Sequence, residues 1–419
     1  MVAAPAAGPL TNSCAYRSSL PAILAFAPND WVGPWMNRQH LLSRLAARGW
    51  PVCYSTGALT VWHRGTEDWR TASWLGRHER HDGVLVDRPG KICTRWPRLR
   101  AFDACVVRAY CAMLLRRAGA DPANAIAYVF HPSFHPYVAA LGCRWTVYHP
   151  YDAFARQPGW SEQLAREEAA LVACADLVIA SSSEILSGLP GADARHALVL
   201  TNGADALAFA RGPALPCPPD LAAIPRPRIG YTGRLTRKMD FPLIETLARQ
   251  RPDWNWALVG PVQSSGIGDV EADPVIARAY RACRELPNVH FLGAKPHTDL
   301  PAYVGHMDVN AMCYRIDGDG WWRAISPLKL HEYLATGRPV VSADLGAVRS
   351  FADVVSIARG GHGWIAAIER ALREDSAVAR ARRREVARAN SWDKRVDRLE
   401  EALLGCTGSG RTAYDAPRR

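Results

Sequence analysis

The sequence predicts an α/β protein: two successive parallel-sheet domains facing a central crevice. Three observations predict it. The chain has 419 residues, more than one hydrophobic core usually organises. Short apolar runs alternate with helical patterns twice over, the rhythm of parallel sheets covered by helices. Between the two series, Arg211 to Arg228 carries six prolines in eighteen residues, and this composition reads as a linker that excludes both helix and central strand.

The first domain, residues 20–210, opens with PAILAFA (Pro21 to Ala27), a buried strand stopped by Pro28-Asn29-Asp30. In NRQHLLSRLAARG, Leu41, Leu42, Leu45 and Ala46 fall at helical spacing and Gly49 supplies the stop. PVCYS follows as a second strand, and a strand, helix, strand unit dictates parallel pairing with a right-handed crossover. Further short buried strands read at AIAYVFH (Ala125 to His131), RWTVYHP (Arg144 to Pro150), ADLVIASS (Ala175 to Ser182) and HALVLTNG (His196 to Gly203). Among them SEQLAREEAALVAC is an amphipathic helix with an acidic N-terminal half. Thr60 to Arg100, rich in Trp, Arg and His, breaks the rhythm and reads as an insertion or an outer layer.

After the linker at 211–228, the second domain spans 229–390 and repeats the pattern. RIGYTG, the helix FPLIETLARQ, WNWALVG, NVHFLG, a helix near DLPAYVGH, DVNAMCY, the helix LKLHEYLATG and PVVSA follow one another. Beyond Ala366 the chain reads as helical, ending in an amphipathic helix at 391–405. Residues 1–19 and 406–419 read as a disordered lead-in and tail.

Bulk composition places the chain among soluble globular proteins: 48% apolar and 22% charged residues exclude wholesale disorder and collagen-like or heptad repeats. The eleven cysteines are dispersed, with no C-x-x-C pair, and read as reduced and mostly buried. The N-terminus lacks a basic segment followed by an apolar core, and no apolar run reaches the roughly 18–20 residues of a membrane span. A cytoplasmic protein, at most peripheral on the inner face of the membrane, is the expectation. The net charge of +11 favours anionic partners, namely nucleic acid, an anionic membrane surface or phosphorylated small molecules. Without zinc-finger spacing, RRM-like aromatics or a basic zipper, nucleic acid is not expected.

Two Rossmann-like domains bind ligands in the crevice beyond the carboxyl ends of their strands, so loops that follow strands hold the informative residues. SPLKLHEYLATGRPVVS (Ser326 to Ser342) combines a turn, a helix start at Pro327, a Glu in mid-helix and a glycine stop before a buried strand. A proline in the first helical position leaves N–H groups free at the positive dipole end, which suits a diphosphate. Lys329 adds a charge there, and Glu332, three residues on, shares its face; a carboxylate suits a pair of ribose hydroxyls. On spacing alone, a surface Lys/Glu pair explains these residues better than a site does.

Asp152, in TVYHPYDAFARQPG, follows a buried strand and can take a proton from an acceptor hydroxyl; capping of the following turn explains it equally well. His131 and His135, in VFHPSFHP, follow another strand and can contact the sugar or act in place of Asp152, although a His beside Pro at a strand end is more often structural. The run Asp317-Gly318-Asp319-Gly320 lacks the rest of a calcium loop and reads as a flexible loop over the crevice. Neither a bound metal nor a cofactor is expected. A dinucleotide oxidoreductase needs G-x-G-x-x-G after the first strand, and Ala27-Pro28-Asn29-Asp30-Trp31 supplies none.

Ser326 to Ser342 resembles the donor-nucleotide motif of GT-B glycosyltransferases, in which a proline-lysine turn leads into a helix bearing E-Y-L-A-x-G. The resemblance implies the GT-B arrangement, two Rossmann-like domains facing a central crevice with a C-terminal helix crossing back to the first domain. It also implies that Ser326, Pro327, Leu328, Lys329 and Glu332 hold the donor nucleotide and its phosphates. RIGYTGRL (Arg228 to Leu235) is similar to the strand and loop opening the donor domain, which implies Gly233 for close backbone approach and Arg234 and Lys238 for phosphate contact. WALVGP and NVHFLGAKPHTDLPAYVGHMDV resemble the rest of the nucleotide-binding half, and VLTNGADALAF the turn that closes the acceptor domain. NDWVGPWMNRQHL resembles the loop and helix opening the same group, implying Trp31, Gly33, Asn37, Arg38 and Gln39 near the crevice, on the acceptor or sugar side with His135.

Arg323 to Lys329 reads R-x-x-x-P-x-K and resembles the teichuronic-acid and capsule polysaccharide transferases, and more distantly the xanthan glucuronosyltransferase, whose base aspartate corresponds to Asp152. Where retaining members often carry a second Glu, eight residues before Glu332, this chain has Ala324. The resemblance implies metal-independent transfer from a nucleotide-sugar donor, a UDP-sugar foremost, to a carbohydrate or lipid-linked acceptor in cell-envelope polysaccharide synthesis. The competing reading is a catalytically silent sugar-binding or scaffold protein of the same fold, against which Lys329, Glu332 and Asp152 together stand.

Overall fold

The computed structural model describes residues 20–33, 35–192, 196–316 and 327–408, and in it the apolar runs form two sheets. The first has eight strands: β1 (Ala22–Phe26), β2 (Val52–Ser55), β3 (Arg77–His81), β4 (Val84–Arg88), β5 (Ala125–Val129), β6 (Trp145–Tyr148), β7 (Leu177–Ala180) and β8 (Ala197–Val199). Their order is β3-β4-β2-β1-β5-β6-β7-β8, parallel except that β3 pairs antiparallel with β4. Alternation along the strands divides their side chains between two cores. Ile23 and Ala25 of β1 join Ile126 and Tyr128 of β5 on one face, while Leu24, Phe26, Ala127 and Val129 enter the other. Helices cover both faces, which is why such strands read as unbroken apolar runs.

The second sheet comprises β9 (Arg228–Thr232), β10 (Asn255–Val259), β11 (Val289–Gly293), β12 (Val309–Met312), β13 (Val340–Ala343) and β14 (Ser356–Ala358). It is parallel, in the order β11-β10-β9-β12-β13-β14. This doubly wound order reverses between β9 and β12, and the space beyond the strand ends at such a reversal is where ligands bind. The C-terminal helix Trp392–Gly408 crosses back as expected. Its buried stripe of Trp392, Val396, Leu399 and Leu403 packs into the core of the first sheet, each side chain contributing about 1.5–3 kcal/mol of burial. Arg48 pairs with Asp397 at 2.7 Å and Glu400 at 2.8 Å, and Trp50 Nε1 donates to Glu400 at 2.8 Å.

Several expectations are corrected. The proline-rich stretch contains a helical turn, Pro219–Ala222, with Pro219 in the first position, where a missing N–H is harmless. Arg228 already belongs to β9, and Leu221 and Ile224 pack against Ala257, Val259 and Met307. Within Thr60 to Arg100, β4 is a buried member of the main sheet, joined to β3 by Asp82 and Gly83 at φ 49° and 82°, both in the left-handed region of a tight hairpin. The helix Arg100–Ala118 has no counterpart in the sequence reading. Of the expected tail, Cys406 to Gly408 continue the last helix; residues 409–419 and 1–19 lie outside the described residues. The described cysteines are free, but only Cys53, Cys111, Cys283 and Cys313 are buried, while Cys105 and Cys174 are exposed. Among the described residues no helix is long and apolar enough to cross a membrane.

Candidate functional site

At the reversal point of the second sheet, a cleft of about 300 Å³ separates the ends of β9 and β12 from the loop after β6 and the start of the helix Asn37–Ala47. Gly233 leaves β9 with φ 125°, a conformation that strains any residue but glycine. A Cβ there would also stand 2.9 Å from Lys329 Nζ and would displace the tip of that side chain. The Tyr333 hydroxyl accepts the Thr232 N–H at 2.7 Å and fastens the helix Lys329–Thr336 to β9. That helix starts later than expected. Leu328 already has helical dihedrals and the Pro327 carbonyl accepts from Leu330 N–H at 3.2 Å, so Pro327 leads into the first turn rather than occupying its first position.

Lys329 lies across the reversal itself. Its Nζ donates to the hydroxyls of Tyr231, on β9, at 2.6 Å and of Tyr314, just past β12, at 3.0 Å, and sits 3.8 Å from the Tyr231 ring centroid. Burial holds this ammonium well below the usual lysine value; Lys238 pushes the same way and Glu332 opposes. Lys238 is lowered too, first by burial and then by Arg234, against the pull of Asp152. Two desolvated lysines and an exposed arginine thus converge on one cleft, a field that favours an anion. Glu332 also lines it, with Oε1 3.8 Å from His297 Nε2, and this contact is the main cause that raises the His297 pKa. Lys329 and Glu332 are therefore cleft residues, not a solvent-facing helix pair.

Across the cleft, Asp152 follows β6 on a turn. Its Oδ1 accepts the Ala153 N–H at 2.9 Å and its Oδ2 accepts from Gln157 Nε2 at 2.8 Å. Burial lifts the carboxyl to about 6, opposed by the Ala153 N–H, Lys238 and Gln157. Such a group is ionised at neutral pH yet basic enough to accept a proton. Turn capping and cleft lining coexist in this side chain.

The cleft also brings in Asn37, Arg234, Pro327 and Leu328. Other expected residues stand back from its wall. Trp31 is buried against Tyr54 at 5.0 Å and its carbonyl accepts from Gln39 Nε2 at 3.2 Å, an anchored loop. Gly33 is exposed, with nothing within 4 Å of an added Cβ. Arg38 is buried beside the Tyr151 ring at 5.7 Å, its Nε and Nη1 without hydrogen-bond partners among the described residues. His131 packs on Phe154 at 4.6 Å, with Nδ1 2.8 Å from Ser133 Oγ, and burial lowers it to about 4. His135 lines a separate groove with Arg98 and Arg108. Ser326 and the Asp317 to Gly320 run lie outside the described residues. Tyr231, Tyr314 and His297 were not singled out from sequence. Tyr314 and His297 follow strands, a signal that was there to use, whereas Tyr231 lies inside a buried strand and looks like core. Among the described residues no group of three or more His, Cys, Asp or Glu is placed to hold a metal ion.

Residues 226–374 match the family Glycosyl transferases group 1. Over 170 residues the chain is 31% identical to TuaH of Bacillus subtilis, described as a teichuronic acid biosynthesis glycosyltransferase; the alignment covers 39% of this chain and 40% of that protein. The chain thus spans about two fifths of the curated relative it matches. Among solved structures, Anabaena HepE in complex with UDP is similar at TM-score 0.65 and 17% identity, over 92% of this chain and 100% of that one. Sucrose-phosphate synthase of Thermosynechococcus elongatus follows at TM-score 0.66 and 18% identity, over 93% and 100%. Trehalose 6-phosphate synthase of Burkholderia multivorans gives 0.64 and 13%, over 94% and 100%. At such identities the likeness is one of fold, and the chain has the two-sheet GT-B architecture.

Proposed function

We propose that the protein is a glycosyltransferase that moves a sugar from a nucleoside diphosphate sugar, a UDP-sugar in particular, to a carbohydrate or lipid-linked acceptor. The reaction belongs to polysaccharide assembly at the inner face of the cell membrane. The observation that carries this reading is Lys329, desolvated at the reversal of the second sheet and facing Asp152 across one cleft. UDP bound to HepE and the group 1 match over the half that holds Lys329 and Glu332 support it.

In this reading Glu332 accepts hydrogen bonds from the ribose hydroxyls, and the first-turn N–H groups, Lys329, Lys238 and Arg234 meet the diphosphate. Asp152 takes the proton of the acceptor hydroxyl as its oxygen bonds to the anomeric carbon. The bond from that carbon to the diphosphate oxygen breaks, and the charge gathered on the leaving group is neutralised by the same cations. A single displacement of this kind inverts the anomeric centre, which NMR of the product reads directly.

The test is ligand-dependent thermal stability. A UDP-sugar at about 100 times its Kd stabilises by about 2.7 kcal/mol, and Glu332→Ala abolishes that gain. Absence of stabilisation by every common UDP-, GDP- and dTDP-sugar would overturn the donor assignment.

A further inference from the structure

We infer that the surface built from residues 61–102 of the first sheet's periphery is a membrane-docking face that seats the protein on an anionic bilayer. It rests on the proposed function only in that a lipid-linked acceptor would be reached from such a surface. Trp62, Trp74, Leu75, Ile92, Trp96 and Leu99 are all exposed, Trp74 by 73%, Leu75 by 69% and Ile92 by 66%, and Phe102 on the neighbouring helix is half exposed. Seven large apolar side chains left in water within one stretch mark an interaction surface.

The segments that bear them lie side by side. Ile92 N–H donates to the Trp74 carbonyl and Lys91 N–H to that of Ser73, both at 3.0 Å, and Val61 N–H donates to the Arg95 carbonyl at 3.0 Å. They follow the carboxyl ends of β2 and β4, the end of the parallel sheet that also carries the Asp152 loop. A cavity of about 150 Å³ walled by Tyr54, His63, Ser73 and Arg88 lies between these segments and the strand ends.

Charge selects the partner. Arg88 and Arg95 are consumed by Asp30, Glu79 and Asp103, but Arg64, Arg98 and Arg100 have no acidic partner among the described residues. Two of these cations lie over indoles instead: Arg98 is 5.0 Å from the Trp62 ring and Arg64 is 5.7 Å from that of Trp69, which Lys91 also approaches at 5.8 Å. Indoles with arginines beside them match the boundary between lipid tails and phosphate headgroups, where the ring sits at the interface and the cation meets phosphate.

The experiment sediments the full chain with vesicles of phosphatidylcholine alone or mixed with phosphatidylglycerol. Binding is expected to the anionic vesicles, weakening with salt. Arg64→Gln with Arg98→Gln should lower the partition coefficient about 25-fold, from about fivefold per charge. Trp74→Ser with Leu75→Ser and Ile92→Ser should remove the binding that persists at high salt. Both variants should keep the thermal midpoint and the UDP-induced shift of the parent. Failure of the parent to bind anionic vesicles, or unchanged binding by both variants, overturns the docking face even when the UDP shift is intact. A dimer in sedimentation velocity that the triple variant dissolves, without vesicle binding, overturns it in favour of a second copy of the chain. Loss of the UDP shift with vesicle binding retained overturns the donor reading alone.

Discussion

Replacing Asp152 by Asn should make the protein more stable while it stops turnover. Burial lifts this carboxyl from 3.8 to about 6, even against the pull of Ala153 N–H, Lys238 and Gln157. An acid whose folded value is raised binds its proton more tightly in the folded than in the unfolded chain. Ionisation therefore costs stability: the penalty is absent below the unfolded value, grows as pH rises towards about 6, and is complete above it. At 1.36 kcal/mol per decade the ceiling is about 3 kcal/mol at pH 8. If the half that carries Asp152 unfolds as a unit of roughly 200 residues, the midpoint rises by on the order of 5–10 °C. Geometry permits the exchange, because the Asn carbonyl can still accept the Ala153 N–H and Gln157 can turn its amide to accept the new donor. The assay is calorimetry of both proteins from pH 4 to pH 8, with turnover and UDP binding measured alongside. The difference in midpoint should shrink towards zero at pH 4, and turnover should fall by about 10²–10⁴ with UDP binding kept. A gain that is the same at both pH values, a loss of stability at pH 8, or near-normal turnover would refute the reasoning.

Three further outcomes follow from the same geometry. Lys329→Met, which keeps the packing and removes the charge-assisted bonds, should weaken UDP by about 10- to 100-fold, from 1.5–3 kcal/mol per such bond, as titration calorimetry would record. Because burial keeps Lys329 and Lys238 below the usual lysine value, an arriving diphosphate should draw a proton onto them. UDP affinity should then fall as pH rises, and the binding heat should vary with the ionisation enthalpy of the buffer. Gly233→Ala places a Cβ 2.9 Å from Lys329 Nζ in a left-handed backbone, which should cost about 1–3 kcal/mol of stability and abolish the UDP shift.

Most strands were legible because doubly covered parallel strands are continuous apolar runs, bounded here by glycine, proline and polar turns. The helices Phe241–Gln250, Leu300–Gly305 and Lys329–Thr336 were legible beside them, whereas the helix Pro274–Glu285 and the strand Ser356–Ala358 have no counterpart in the sequence reading. The Asp82-Gly83 hairpin signal was also present but went unused amid the charges of Arg77 to Asp82. The helix Arg100–Ala118 was harder to read. Its buried stripe of Val107, Tyr110, Cys111 and Leu114 is blurred by Phe102 on the exposed side, so the apolar pattern lacks a clean period. Asp152, Lys329, Glu332 and Gly233 were legible as residues after strands or as parts of a motif. Arg38, Trp31 and His131 were not separable from them, since position in a loop says nothing about which way a side chain packs.

By itself, the sequence determined the two parallel sheets, their division by a proline-rich stretch and the segment Ser326 to Ser342 as the place to look. Local patterning suffices for these because strand and helix periods are written into neighbouring residues. Only the tertiary structure decided that Lys329 meets Tyr231 and Tyr314 at the reversal of the second sheet, that Asp152 faces it across the cleft, and that the last helix completes the first core. Those pairings join residues tens to hundreds of positions apart, and their desolvation and charge exist only once the chain has brought them together.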